Sequence, residues 1–540
     1  MKNKYLIFLL LLTIFAILIE GYRFGEENHT NYFSLAKAKI DSTLYTRDFY
    51  IHNTEYPGFF YDLLVRLSGD KLEWTSFFLY FFLLYFTFIM IFKLTKLLFN
   101  NDYVSYLSVL FSIIPKNTIG GAHTRDYALQ HSTFVFPFLL LAIYLFLKRR
   151  YIWSFIFLGL SFNFHGMTSI FVLSMFLLYF LFKFNKIGKF KIFLSFGSLI
   201  IASLPFLITV LGRKKESLIP SPLWIDVART RAGLHLFPST WAISVWLNFI
   251  PIMILFFLAY KFRNKKREIY NRTIAIFSLA VFIMLILGFV FSEILPIRSI
   301  IQLHLLRSAP FLVIFALLYS SNYIYGLIMK PKFSHNLLGI FLGVALFYNG
   351  NMKVYLAILL YVIVAFIILR YFKKTKWFKA ALISSVLVFL IIGSIGANIW
   401  KGENHVNLPW TDYYDEWIDI QLWSKNNTKK DALFVTRYDK PFRFYSERSI
   451  FVSGKDLGLG IILNPNGEEI IPEYLKRLNF INCNFLEESK KCIENYNELS
   501  EEDILKIKEE YDIDYIIFDK PKKLNFQVAY ENNKFIIFSV

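Results

Sequence analysis

The sequence predicts a polytopic α-helical membrane protein of about 13 transmembrane helices with a C-terminal extracytoplasmic α/β domain. Of its 540 residues, 56% are hydrophobic and 19% are aromatic, which is more than the surface of a water-soluble domain tolerates. Apolar segments alternate with short loops over residues 1–400, whereas residues 401–540 are polar. We therefore expect a transmembrane domain at 1–400, with a first outer loop at 21–74, and a second domain at 401–540.

Each expected span is an apolar run close to the roughly 20 residues that a helix needs to cross the hydrocarbon. The first run follows Lys2 and Lys4 like a signal peptide, but no small-residue cleavage pattern comes after it, so we expect it to remain as a helix. The expected spans lie near residues 5–20, 75–92, 103–119, 132–147, 151–164, 166–182, 192–211, 240–260, 273–291, 300–320, 335–349, 353–370 and 380–399.

The basic residues predict how the chain is oriented. A net charge of +19 would suggest a nucleic-acid partner in a soluble protein, but here Lys and Arg lie in short loops after every second span. We therefore expect no nucleic acid, a multi-pass protein of the plasma (inner) membrane, a cytoplasmic N-terminus and an outer C-terminal domain. The basic clusters are Lys93/Lys96, Lys148–Arg150, Lys183/Lys186/Lys189, Lys261–Arg272, Lys330/Lys332 and Lys373–Lys379.

The polar C-terminal segment has the patterns of an α/β domain. Helical spacing is present in 410–425 and 501–511, and four short β-type runs lie between and after these segments. Cys483 and Cys492, the two cysteines of the chain, would form a disulfide in an oxidising space or remain two free thiols. The β-type runs are 433–435, 449–452, 515–518 and 534–540.

Carboxylates, guanidinium groups and imidazoles collect in the loops that we expect on the outer side. Such groups are costly at the edge of a membrane, so their position indicates function more strongly than that of surface charges. A carboxylate can take a proton from an attacking hydroxyl, while Arg and His offset charge on a departing phosphate. The candidates are Glu26, Glu27, Asp41, Asp48, His123, Asp126, His165, Glu293, Arg298, His304 and Arg307.

Each candidate also has a structural explanation. Glu26 and Glu27 could favour a helix N-terminus, and Asp41 and Asp48 could cap a loop helix. Asp126 could pair with Arg125. His165 could be a satisfied interfacial histidine, and Arg307 could pair with a carboxylate rather than a lipid phosphate.

These residues and their order resemble the GT-C type membrane glycosyltransferases, which use polyprenyl-phosphate-linked sugars and include oligosaccharyltransferase catalytic subunits and protein mannosyltransferases. Gly25-Glu26-Glu27 looks like the acidic pair that opens the first outer loop of these enzymes, and Asp126 occupies the place of their second acidic motif. The resemblance covers the whole chain in layout. It implies an outer active site and a C-terminal domain that frames the acceptor.

The resemblance implies an inverting transfer of a sugar from a polyprenyl-phosphate-linked donor, in contact with membrane lipid, to a lipid, glycan or protein acceptor. The expected general base is Asp41 or Glu26/Glu27, with Asp48 and Asp126 as further catalytic carboxylates. The donor phosphate would meet Arg307, His165, Arg298 or His304, and Glu293 and His123 are further candidates.

Two points bear on the type of transfer and on metal dependence. The WWDYG signature of oligosaccharyltransferases and a paired D-x-D in the second outer loop, expected at 115–131, are both absent, so asparagine-linked transfer is not expected. Glu and Asp near a phosphate could hold Mg²⁺ or Mn²⁺, or no metal. A transporter or flippase of lipid-linked glycans and a non-catalytic GT-C-like scaffold are the alternative functions.

Overall fold

The computed structural model describes most of the chain. It covers residues 4–25, 28–54, 59–212, 217–348, 408–410, 415–462, 464, 467–486 and 489–540. The expected spans at 353–370 and 380–399, the junction between the two expected domains, and Glu26 and Glu27 lie outside the described residues.

The N-terminal part is helical and membrane-spanning. Among the described residues, five helical stretches are long and apolar enough to cross a membrane, or 6 if the bent pair Lys189–Ala202 and Leu204–Leu211 forms one span. The chain is therefore a multi-pass membrane protein, although the expected count of about 13 is not confirmed. Its helices are Lys4–Glu20, Leu72–Phe99, Asp102–Phe111, His131–Leu147, Tyr151–Phe164, Gly166–Ile187, Lys189–Ala202, Leu204–Leu211, Ile243–Lys261, Glu268–Phe289, Ala309–Ile328 and Phe333–Phe347.

Two expected spans differ from the observed helices. The span expected at 103–119 is a helix only over Asp102–Phe111, because the chain then enters a loop that contains Pro115 and the turn Gly120-Gly121. The span expected at 192–211 is bent by 69° at Ser203, where Pro205 follows in the first turn of the next helix. The apolar runs thus predicted where these two segments lie in the sequence. They did not predict that the first helix ends at Phe111 or that the second segment is bent.

Shorter elements lie between the long helices. We call the helix Pro222–Leu236 the bridging helix. Ser221 caps its N-terminus, because the Ser221 hydroxyl accepts a hydrogen bond from the Trp224 N–H at 3.2 Å, and Pro222 lies in the first turn. The other elements are the α-helices His29–Ile40, Phe49–Asn53, Phe59–Ser68 and Arg298–Gln302, the 3₁₀ turns Gly69–Lys71, Pro238–Thr240, Lys265–Arg267 and Leu305–Ser308, and the π-helical turn Val290–Ile294.

The described residues 415–540 form an α/β unit, which we call the tail domain. Its five strands have the order β2-β1-β3-β5-β4, with β1 parallel to β2 and β3, and β5 antiparallel to β3 and β4. The strands are β1 Leu433–Val435, β2 Ser449–Ile450, β3 Tyr515–Asp519, β4 Gln527–Glu531 and β5 Phe535–Ser539. The helices are Glu416–Asn427, Arg443–Ser446, Gly454–Ile462, Gly467–Phe480, Ser489–Asn497 and Glu501–Tyr511.

Most of the tail domain agrees with the sequence patterns. The helix expected at 410–425 begins only at Glu416, because Asp415 caps it through the N–H groups of Trp417 and Ile418. The sequence patterns did not include strand β4, Gln527–Glu531, which lies at a sheet edge and is largely exposed. Cys483 and Cys492 are joined by a disulfide.

Buried ion pairs attach the tail domain to the first outer loop. The Arg443 guanidinium donates to Asp48 at 2.6 and 3.0 Å and to Asp456 at 2.7 and 2.6 Å, and both carboxylates are fully buried. Arg47, from the same loop, donates to Asp514 at 2.7 Å beside β3. The tail domain is therefore packed on the membrane part rather than tethered to it.

Candidate functional site

A pocket with a polar end and an apolar end lies where the second loop meets four membrane helices. It has an empty volume of about 770 Å³, open solvent at its mouth included. Its polar lining residues are Tyr80, Thr87, His123, Thr124, Arg125, Asp126, Ser132, Thr133, His165, Thr168 and Arg307. Its apolar wall includes Leu84, Phe136, Met167, Phe171, Pro310 and Phe311. Such a pocket suits an amphiphile with a charged head and a hydrocarbon tail.

Asp126 supplies the carboxylate of this pocket. Its Oδ2 accepts a hydrogen bond from the Ser132 hydroxyl at 3.0 Å and one from Thr133 at 3.5 Å, both at the start of helix His131–Leu147. Within the described chain, Oδ1 accepts no hydrogen bond. Arg125 does not pair with Asp126, because its guanidinium donates to Tyr80 Oη at 3.0 Å and to the Ile113 carbonyl at 2.6 Å. One carboxylate oxygen thus remains available to a substrate proton.

Arg307 supplies the cation. It lies in the 3₁₀ turn Leu305–Ser308, two residues before Ala309, where the next helix starts. The Asp126 carboxylate interacts electrostatically with its guanidinium, but the guanidinium makes no hydrogen bond to any described residue. A guanidinium that makes no hydrogen bond within the described residues can donate to a phosphate or carboxylate group of a ligand.

His165 lines the same pocket and packs against His131. The rings of His131 and His165 lie 4.2 Å apart between centroids, and His165 Nδ1 is hydrogen-bonded to the Thr168 hydroxyl. Burial lowers the pKa of His165 well below its usual value, and the charges of His131 and Arg307 lower it further. His165 is therefore neutral near pH 7, and a neutral imidazole can donate one hydrogen bond to a phosphate oxygen.

A two-glycine turn holds the second loop against Arg307. Gly120 has a φ of +72°, and a Cβ added to it would lie 2.9 Å from both the carbonyl carbon and the oxygen of Leu306. At Gly121, with a φ of +57°, an added Cβ would lie 2.5 Å from His235 Nδ1, and that nitrogen is itself 3.1 Å from the Gly120 oxygen. Glycine is required at both positions, for its positive φ and for the close contact.

The structure brings four of the expected residues into one pocket, namely His123, Asp126, His165 and Arg307. His304 lies three residues before Arg307, is buried, and does not line the pocket; neither of its ring nitrogens has a hydrogen-bond partner in the described chain. Glu26 and Glu27 lie outside the described residues.

Asp41 and Asp48, the other two candidate carboxylates of the first outer loop, do not line this pocket. Asp41 is 41% exposed and bonds Thr43 at 2.9 and 2.6 Å and Lys430 at 3.4 Å. Asp48 caps helix Phe49–Asn53 through the Ile51 N–H and pairs with Arg443. Their contacts are those of a surface turn and of a buried structural ion pair.

Arg298 and Glu293 contact other partners as well. Arg298 pairs with Glu468 of the tail domain at 2.5 Å and lies over the Trp224 ring. Glu293 accepts a hydrogen bond from the Ser239 N–H at 2.8 Å and pairs with Arg229 of the bridging helix at 3.4 Å. Both side chains thus hold the segments around the bridging helix together.

Sequence reasoning missed the neutral polar residues of the pocket, Tyr80, Ser132, Thr133 and Thr168. Hydroxyl side chains are common in membrane helices, where they usually bond the carbonyl four residues earlier. One signal was available, since Ser132-Thr133 directly follows His131 and lies six residues after Asp126. Among the described residues, no three His, Cys, Asp or Glu side chains are placed to hold a metal ion.

Comparisons with known proteins give a domain match and a set of structural neighbours. A family model described as "Domain of unknown function (DUF6798)" matches residues 415–479, within the tail domain. No protein with a curated description matches the sequence.

The structural neighbours are GT-C type glycosyltransferases, the class that the sequence resembles. The archaeal oligosaccharyltransferase AglB from Archaeoglobus fulgidus, in complex with an inhibitory peptide and a dolichol-phosphate, is 11% identical with a TM-score of 0.45, and the match covers 96% of this chain and 70% of that one. The Archaeoglobus fulgidus oligosaccharyltransferase in complex with Zn and sulfate is 13% identical with a TM-score of 0.45, over 95% of this chain and 67% of that one.

ArnT from Cupriavidus metallidurans in the apo state is 10% identical with a TM-score of 0.46, over 99% of this chain and 97% of that one. At these identities and TM-scores, the similarity assigns neither an activity nor a residue role to this chain.

Proposed function

We propose that this protein is a membrane glycosyltransferase that transfers a sugar from a polyprenyl-phosphate-linked donor to a lipid, glycan or protein acceptor on the outer face of the membrane. One observation carries the proposal: the Asp126 carboxylate and the Arg307 guanidinium, which makes no hydrogen bond to any described residue, share the polar end of a pocket whose other wall is apolar. A lipid-linked sugar phosphate has the matching parts, with an isoprenoid tail, an anionic phosphate and a reacting sugar carbon.

In the proposed reaction, Asp126 is the general base. Its carboxylate takes the proton of the acceptor hydroxyl as that oxygen attacks the anomeric carbon. The bond between this carbon and the phosphate oxygen breaks, and its electron pair leaves with the phosphate, where Arg307 and the neutral His165 stabilise the charge. Attack opposite the leaving group inverts the anomeric configuration.

The structural contacts favour Asp126 over two of the carboxylates expected from the sequence. Asp41 lies at the surface beside Lys430, and both Asp48 oxygens are bonded to Arg443, so neither is available in this pocket. Glu26 and Glu27 remain candidates on the sequence alone.

Two features support the outer location. The basic clusters lie in alternate loops, on the side opposite to the tail domain in the expected topology. The tail domain also contains the Cys483–Cys492 disulfide, a bond that persists in oxidising compartments.

The test is the release of polyprenyl phosphate from a panel of lipid-linked sugars by the purified protein in detergent. We expect Asp126→Asn to lower release about 100-fold or more, as loss of a general base does. Asp41→Asn is the matched control, a carboxylate of the first outer loop outside the pocket, and it should release as the wild type does. Full activity of Asp126→Asn, with loss in Asp41→Asn, would contradict the assignment.

One observation favours a second candidate, a flippase or transporter of lipid-linked glycans. The 69° bend between helices Lys189–Ala202 and Leu204–Leu211 is a broken helix of the kind that transporters use at their binding sites. The same experiment separates the two functions, because tight donor binding with no release in any variant would favour transport or a non-catalytic scaffold.

A further inference from the structure

A second arginine is held between the bridging helix and the tail domain, outside the pocket described above. The Arg231 guanidinium lies over the Tyr438 ring, 4.9 Å from its centroid. Its Nε and Nη2 atoms are buried and have no hydrogen-bond partner in the described chain, and the same holds for the Tyr438 hydroxyl. Tyr438 itself is only 3% exposed. Among the described residues, three polar atoms that normally require partners therefore have none at this junction.

Two glycines of helix Gly454–Ile462 make room for this pair. A Cβ on Gly454 would lie 2.1 Å from Tyr438 Cζ, so any side chain there would displace the ring. Gly458, one helical turn later, would place a Cβ 3.5 Å from the Arg231 Cβ. The Gly454 N–H also donates to the Tyr438 carbonyl at 3.1 Å. The tail domain is thus shaped to receive both side chains.

The neighbouring arginines differ from Arg231 because each has a carboxylate partner. Arg229, on the same helix, pairs with Glu293, and Arg298 pairs with Glu468. No carboxylate of the described chain forms an ion pair with Arg231. The two that act on the Tyr438 hydroxyl, Asp439 and Asp456, are bonded to Arg437 and Arg443.

We infer that Arg231 and Tyr438 form an anion-binding site that takes a carboxylate or phosphate group of the acceptor. A guanidinium and a phenol can both donate to one anionic group, and charge-assisted hydrogen bonds of this type are among the strongest that proteins form. The anion site itself stands on the geometry, whereas its assignment to the acceptor rests on the proposed function.

The site lies within reach of the catalytic pocket. His235 follows Arg231 by four residues, so their Cα atoms are at most roughly 14 Å apart whatever the effect of the kink at Ala232. His235 contacts the Gly120-Gly121 turn, and the next two residues of that loop, Ala122 and His123, line the pocket. An acceptor with an anionic group could thus be held at Arg231 while its hydroxyl reaches Asp126.

The test measures binding of small probes to the full-length protein in detergent, without any transfer step. The probes are glucuronate, glucose 6-phosphate and neutral glucose, and the variants are Arg231→Gln, Tyr438→Phe and Arg307→Gln. Arg229→Gln is the matched control, since it removes an arginine of the same helix that already has a partner. Gel filtration and the thermal midpoint of each variant establish that it is folded.

We expect at least one anionic probe to bind about tenfold or more tightly than glucose. Arg231→Gln should abolish this preference, and Tyr438→Phe should weaken it by about two- to tenfold, as loss of one neutral hydrogen bond does. Arg229→Gln should retain the preference, and Arg307→Gln should leave the anion binding that depends on Arg231. Whether glucuronate or glucose 6-phosphate binds more tightly distinguishes a carboxylate from a phosphate.

Two results would overturn the inference. One is that neither anionic probe binds better than glucose. The other is that Arg307→Gln abolishes anion binding while Arg231→Gln retains it, which would place the anion in the catalytic pocket. Because no transfer is measured, failure of the glycosyltransferase proposal in the release assay leaves this result unaffected.

Discussion

Gly120 determines where Arg307 lies. Its positive φ and its lack of a side chain let the second loop contact the Leu306 carbonyl directly, and Leu306 immediately precedes Arg307. The cation of the pocket therefore depends on a residue that carries no charge and would not contact a substrate.

Gly120→Ala should weaken donor binding while leaving the protein folded. The Cβ of an alanine at this position would lie 2.9 Å from the carbonyl carbon and oxygen of Leu306. That carbonyl group would therefore have to move, and Arg307, the next residue, would move with it. We expect donor affinity to fall about tenfold or more, as loss of a charge-assisted hydrogen bond does. The measurement is equilibrium binding of a polyprenyl-phosphate sugar.

Gly69→Ala is the matched control for this prediction. Gly69 also has a positive φ, of +51°, but an added Cβ there would meet no atom within 4 Å. Both variants therefore introduce backbone strain, and only Gly120→Ala introduces the contact. Equal donor affinity in the two variants would show that this contact does not position Arg307.

Arg443 is the residue on which attachment of the tail domain depends most. It is 3% exposed and bonded to two carboxylates that are fully buried, one in the first outer loop and one in the tail domain. Removing the shared cation would leave both carboxylates buried without a charge partner.

Arg443→Met should destabilise the folded protein by about 3–5 kcal/mol, since an unpaired buried charge costs that much. We expect the loss as a lower thermal midpoint and faster tryptic cleavage between the two domains. Lys430→Met is the control: it breaks the pair between Lys430 and Asp41, whose side chains are 61% and 41% exposed, and should leave the thermal midpoint nearly unchanged. Equal effects of the two exchanges would contradict the role of Arg443.

The elements were predictable where the signal is local. The helix Glu501–Tyr511 matches its expected bounds, because an amphipathic pattern follows Ser500, whose hydroxyl forms a capping box with Asp503. The bend at Ser203 and the edge strand β4 were missed although their causes are local, since Pro205 follows Ser203 closely and β4 pairs with the next strand, β5. Long-range contacts limited the site: Asp126, His165 and Arg307 were expected individually, but the partner of Asp48 lies 395 residues later.

His29 joins the first and second outer loops, and its protonation should make the folded protein less stable at acid pH. His29 is buried; its Nδ1 accepts from the Gly25 N–H at 3.3 Å, and its Nε2–H donates to the Leu129 carbonyl at 2.9 Å. This pair of contacts fits only the neutral tautomer, in which one ring nitrogen accepts and the other donates. Burial lowers the pKa of His29 to about 4, partly offset by the Leu129 hydrogen bond.

The sign of the pH effect follows from this shift. The unfolded chain binds a proton at His29 near pH 6.5 and the folded chain only near pH 4, so the free energy of unfolding decreases as the pH falls between these values. We expect His29 to account for up to about 1.4 kcal/mol per pH unit. Below about pH 4 its contribution no longer changes.

His29→Gln should flatten the dependence of the thermal midpoint on pH between 6.5 and 4, because the amide can still donate to Leu129 but does not titrate. The control is His52→Gln, an exchange at an exposed imidazole that also bonds a backbone carbonyl, that of Thr46. An unchanged slope in His29→Gln would show that the acid sensitivity arises elsewhere.

The orientation of the whole molecule decides whether the proposed site faces the outside of the cell. The tail domain should be outside and the Lys261–Arg272 loop inside, because the loop is strongly basic and the tail domain contains a disulfide. In Lys523→Cys and Lys265→Cys, each exchange replaces an exposed side chain, and the natural cysteines are bonded to each other. We expect a membrane-impermeant maleimide to label Lys523→Cys on intact cells that express the protein, and Lys265→Cys only after permeabilisation. The reverse pattern would place the tail domain in the cytoplasm and would contradict transfer on the outer face. It would not bear on the chemistry of Asp126 and Arg307, which the release assay tests.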